Sequence, residues 1–112
     1  MHEVYARYLT RIMQALHEMR ITPYRISLQN EPRYAGGYPG TYMEPDQQAA
    51  IGDLVRKSFD DAGFKDVGLL AWDHNWDVTQ YPIDVFDKSR SFVGAAWHCY
   101  VNRSISMKDN VN

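Results

Sequence analysis

Apolar residues recur at steps of three and four from the first residues onward. Val4, Tyr5, Tyr8, Leu9, Ile12, Met13, Leu16 and Met19 form one stripe, which predicts a helix over residues 2–19. No capping residue stands ahead of it, and Thr22-Pro23 ends it because proline cannot continue the hydrogen-bond ladder. Tyr24 to Gln29 alternates and reads as a short strand, followed by a Gly-, Pro- and Tyr-rich loop over 30–43. Pro45 suits the first turn of a second helix, whose expected buried face is Ala50, Ile51, Leu54, Val55, Ser58, Phe59 and Ala62. Gly63 suits the position just past its end. Val67 to Trp72 is almost wholly apolar, the pattern of a strand covered on both faces. Asp73 to Tyr81 reads as a polar and aromatic loop, Pro82 to Lys88 as a short helix, and Val93 to Trp97 as a third strand closed by His98-Cys99-Tyr100.

Helix and strand thus alternate three times. Consecutive βα units with buried strands imply a parallel sheet with right-handed crossovers. Three strands alone leave two apolar edges, and a whole (β/α)₈ barrel takes about 250 residues. The expected fold class is therefore α/β, a partial (β/α)₈ TIM barrel of about three βα units within 112 residues.

Composition narrows the partners. Twelve basic and fourteen acidic residues give a net charge of −2, so no basic footprint points to nucleic acid or an anionic membrane. Apolar residues at 45 % and charged residues at 23 % fit a globular chain. No apolar run approaches the roughly 20 residues of a membrane span, and the N-terminus shows no signal-peptide pattern. The single cysteine, Cys99, excludes an internal disulfide. No obligate protein partner is indicated.

In a parallel βα array, chemistry gathers at the C-terminal ends of the strands. The first predicted strand ends in Asn30-Glu31, the second in Asp73-His74-Asn75-Trp76-Asp77, the third in His98-Cys99-Tyr100. Pro32 restricts the residue before it, so Glu31 is expected in extended geometry at the strand tip. A carboxyl group desolvated among aromatics would keep its proton near neutral pH, as a general acid must. Asn-Glu-Pro is equally compatible with a plain turn. Asp73-x-Asn75-x-Asp77 imitates a calcium loop, but Val78 replaces the glycine and Asp84 stands where glutamate is needed. A zinc site from Glu31, His74 and His98 is geometrically conceivable, yet no HExxH or closely spaced histidine pair supports it, and no metal is expected. Gly36-Gly37 opens no helix, so no organic cofactor is expected either.

Leu28-Gln29-Asn30-Glu31-Pro32, Gly37-Tyr38-Pro39, Asp73-His74-Asn75-Trp76-Asp77 and Ala96-Trp97-His98-Cys99-Tyr100, taken in order and spacing, resemble glycoside hydrolase family 30. The resemblance covers about residues 1–100 and is nearest the fungal endo-β-1,6-glucanase group, with glucosylceramidase more distant. It implies a retaining glycosidase acting on a β-glucan or β-glucoside, extracellular in its complete form. It implies that Glu31 is the acid/base and that Asn30 contacts the sugar 2-hydroxyl. It further implies that Tyr38 belongs to the loop beside the catalytic carboxylates, that His98 and Tyr100 lie near the nucleophile, and that Asp73, His74 and Trp76 line sugar subsites. A non-catalytic carbohydrate-binding piece is the competing function, and a purely structural Glu31 the third.

Retention needs a second carboxylate about 5–5.5 Å from the first. The family supplies it as a glutamate one strand beyond His-Cys-Tyr, whereas residues 101–112 offer only Asp109, of the wrong type and context. The expectation is a chain without turnover on its own. Residues 101–112 show no helical or strand period and read as an unstructured or spurious tail, from a truncated gene model or a retained intron.

Overall fold

The computed structural model describes residues 1–34, 36–37 and 40–100. Tyr38 and the tail 101–112 lie outside the described residues. The elements follow the expected order: α1 His2–Glu18, β1 Arg25–Ser27, α2 Pro45–Asp61, β2 Gly68–Asn75, α3 Gln80–Lys88 and β3 Phe92–His98. The strands form one parallel sheet in the order β1-β2-β3. Helices α2 and α3 lie against β2, and α1 packs beside α2.

The apolar stripe of α1 is wider than the face it buries. Ala6, Thr10 and Met13 are buried, with Tyr5 and Leu9 packed at their margin, while Val4, Tyr8, Ile12 and Met19 stay exposed. The cause is that α1 packs mainly on α2, with Tyr5 reaching across to the Leu28 carbonyl. Small polar groups let the two helices approach: Thr10 Oγ1 lies 2.6 Å from Ser58 Oγ while donating to the Ala6 carbonyl at 2.9 Å.

Pro45 opens α2 behind a capping box, in which the Glu44 N–H donates to Gln47 Oε1 at 2.9 Å. Its buried line is Gln48, Ala49, Ile51, Gly52, Val55 and Phe59. Ala50, expected inside, is exposed, because two residues carry it about 200° round the helix from Gln48. Gly63 follows the helix with φ of 89°, the left-handed conformation that glycine adopts without cost. Arg56 then ties the turn into β2, donating to the carbonyls of Val67 and Phe64 at 2.6 and 2.9 Å.

Two strands depart from their apolar patterns. β1 is only three residues long, and the chain bends away before Gln29. β2 runs through Asp73, His74 and Asn75, which read as loop. Backbone pairing explains the extension: His74 and Asn75 stand opposite Trp97 and His98 of β3, and the ladder is indifferent to side-chain polarity. α3 begins two residues earlier than expected, and Tyr81 enters the core, its hydroxyl donating to the Met43 carbonyl at 2.7 Å. Burial pushes that phenol well above its ordinary range.

Candidate active site

The site is built around an irregularity in β2. Trp72 and His74 pair with adjacent β3 residues, so Asp73 is an extra residue in the strand. Trp72 and Asp73 both adopt left-handed φ, 69° and 63°. Such a pair is unfavourable for residues with a Cβ and is held from outside. Fully buried Gln48 accepts the Trp72 N–H through Oε1 at 3.0 Å. The Trp72 ring packs on Tyr81 at 4.5 Å and stacks on His74 at 4.9 Å, and its Nε1–H donates to the Asn75 carbonyl at 2.8 Å.

The irregularity captures Glu31. The Asp73 carbonyl accepts the Glu31 N–H at 2.9 Å across the strand ends. Glu31 does not take the extended geometry that the following proline implied: its φ is 49°, and its carbonyl accepts the Tyr34 N–H at 2.9 Å. The cross-strand bond and the turn together outweigh the local preference. The loop beyond is closed by the Met43 N–H on the Pro32 carbonyl at 2.7 Å and by Arg33 on Glu44 at 2.7 Å.

The side chains then converge. His98 Nδ1 is 3.1 Å from Glu31 Oε1, and His98 Nε2 is 2.9 Å from Asp73 Oδ1. The second Asp73 oxygen accepts the hydroxyl of Ser27. His74 Nδ1 lies 3.9 Å from Glu31 Oε1, buried and without a hydrogen-bond partner. Side-chain exposure is 16 % for Glu31, 17 % for His98, 20 % for Asp73 and 14 % for His74. A histidine ring facing two carboxylates through both nitrogens needs two protons for both contacts, on the ring or on a carboxyl oxygen. Glu31, His98 and Asp73 therefore form a hydrogen-bonded chain partly shielded from water, with the His74 ring beside it.

Of the residues singled out in the sequence, Glu31, Asp73, His74 and His98 meet here. Asn30 is exposed beside Glu31, its carbonyl accepting from Gln29 Nε2 at 2.9 Å. Trp76 is half-buried in the turn after β2. Tyr100 is 76 % exposed and touches the network through the edge of its ring, 5.4 Å from that of His98. Ser27 and Gln48 escaped the sequence reading. A lone serine between Arg25 and Gln29 on the polar face of a strand carries no signal; the one available cue was Gln48, a polar residue in line with Ile51, Gly52 and Val55.

No protein-family model matches the chain. It is 33 % identical over 99 residues to endo-1,6-β-D-glucanase neg1 of Aspergillus fumigatus, and 37 % over 102 residues to endo-1,6-β-D-glucanase BGN16.3 of Trichoderma harzianum. An endo-1,6-β-D-glucanase of Neurospora crassa is 33 % identical over 104 residues. These matches take in 86–88 % of the chain but only 20–21 % of each relative, so the chain spans about a fifth of their length. The solved structure of the endo-β1,6-glucanase BT3312 superposes with a TM-score of 0.80 at 28 % identity, covering 88 % of this chain and 24 % of that one. The three parallel strands and their helices thus have the α/β arrangement of part of a glucanase, and the chain resembles glycosidases in sequence and in fold.

Proposed function

We propose that the chain is a segment of a retaining glycoside hydrolase of family 30, cut from a (β/α)₈ barrel, that acts on β-1,6-linked glucan outside the cell. The observation that carries this reading is Glu31, four residues past the end of β1 and 3.1 Å from His98, in a chain similar to endo-1,6-β-glucanases. Glu31 serves as acid/base: it protonates the leaving glycosidic oxygen, then removes a proton from the incoming water. His98 and Asp73 fix the direction of its carboxyl group, and Ser27 fixes Asp73. Exposed Asn30 and Tyr100 and half-buried Trp76 stand where sugar hydroxyls and ring faces can be met, with Tyr38 assigned beside them by resemblance.

Retention requires a second carboxylate as nucleophile, and both oxygens of Asp73 are engaged by His98 and Ser27. The 112-residue chain is therefore expected to release no reducing sugar from a β-1,6-glucan, and clear release would overturn the two-carboxylate division. The acid/base assignment is tested in the full-length Trichoderma harzianum relative at the glutamate aligned with Glu31. Replacement by Gln is expected to lower turnover by about 10²–10⁴-fold while binding persists. Unchanged turnover would leave Glu31 a structural residue.

A further inference from the structure

Glu31, His74 and His98 each turn one ligating atom into the same small volume, and those atoms lie within 4.8 Å of one another. Glu31 Oε1 is 3.1 Å from His98 Nδ1 and 3.9 Å from His74 Nδ1. Zinc bonds of about 2.0–2.1 Å in a tetrahedron hold ligands about 3.4 Å apart, a spacing that small side-chain rotations reach here.

Two supporting features go beyond proximity. His98 Nε2 faces Asp73 Oδ1 at 2.9 Å, and Asp73 is itself held by Ser27, which leaves Nδ1 as the ligating nitrogen. Carboxylate–histidine pairing of this kind orients metal-bound imidazoles and raises their basicity. His74 Nδ1 is buried with no hydrogen-bond partner while its ring is locked on Trp72 at 4.9 Å. A buried polar atom without a partner calls for an explanation, and a metal bond is one. Two imidazoles and one carboxylate suit zinc far better than calcium or magnesium, which prefer oxygen ligands throughout.

We propose that Glu31, His74 and His98 form a binding site for a zinc-class divalent cation, with three protein ligands and an open fourth position. Binding by itself stands apart from the glycosidase reading. Its consequence, that the cation occupies Glu31 and blocks hydrolysis in a complete enzyme, rests on that reading.

The test uses the 112-residue chain with Cys99→Ser, since the exposed Cys99 thiol would bind zinc on its own. Zinc chloride is titrated against a chromophoric chelator, and cobalt(II) absorption reports coordination geometry. One equivalent is expected to bind with a tetrahedral cobalt spectrum. His74→Phe keeps a ring on Trp72 but removes the nitrogen, and it is expected to weaken binding at least roughly tenfold, as is Glu31→Gln. Asp73→Asn is expected to weaken it by about 10–100-fold through His98. Replacing His2 and His17, the other two histidines, leaves affinity unchanged. Far-UV circular dichroism confirms folding of each variant. Absence of stoichiometric binding, or binding retained by both His74→Phe and Glu31→Gln, overturns the site. Neither outcome depends on hydrolysis, so failure here leaves the glycosidase reading to its own test.

Discussion

Gln48 shows how a single buried polar side chain can govern a site it does not enter. Its Oε1 accepts the Trp72 N–H at the point where β2 departs from regular geometry, and that departure aims Asp73 at His98. Gln48→Leu preserves volume but leaves a buried N–H unpaired, which costs about 1–3 kcal/mol. Urea unfolding should register that loss, and zinc affinity should fall with it as Asp73 is released. A variant as stable as the parent would show that Trp72 finds another acceptor. Glu31 teaches the same lesson from the other side. Its position before a proline favours extended backbone, yet a hydrogen bond to the Asp73 carbonyl selects φ of 49°.

At the scale of elements, the packing of α2 on the sheet depends on a residue without a side chain. A Cβ on Gly52 would overlap the ring of Phe92 at the start of β3. Alanine adds about 1 kcal/mol to a helix over glycine, but overpacking a core contact costs about 1–3 kcal/mol. Gly52→Ala is thus expected to lower the unfolding free energy, and thermal or urea melts decide the sign. A more stable variant would mean that Phe92 swings aside. The strands show a related balance: β2 continues as paired strand past the irregularity at Asp73, with His74 and Asn75 opposite Trp97 and His98, because β3 runs beside it. Polarity marks where a strand stops being covered, and pairing decides where it ends.

At the scale of the molecule, the described residues leave apolar surface uncovered. Val4, Tyr8 and Ile12 line the outer side of α1, Val93 and Trp97 are exposed on β3, and β1 and β3 have no outer partner among the described residues. Open edges and apolar faces promote pairing between chains. Sedimentation velocity of the 112-residue chain should show mass rising with concentration, and Tyr8→Lys with Ile12→Lys should reduce it. A monomer at every concentration would show that these surfaces are tolerated in water. No helix among the described residues is long and apolar enough to cross a membrane.

Periodicity alone determined the order of three helices and three strands and the parallel sheet they imply, because burial imposes a period of 3.6 on helices and of 2 on strands. It also placed polar clusters at three strand ends, since a parallel array brings those ends to one rim. What those clusters do to one another was decided by tertiary structure. The irregularity at Trp72-Asp73 and the roles of Ser27 and Gln48 arise from hydrogen bonds between residues at least 24 positions apart or from strand register, and the left-handed turn at Glu31 adds such a bond to Asp73 to its local one from Tyr34. Contacts of that range leave no local pattern in a sequence, because the spacing that matters is across the sheet and not along the chain.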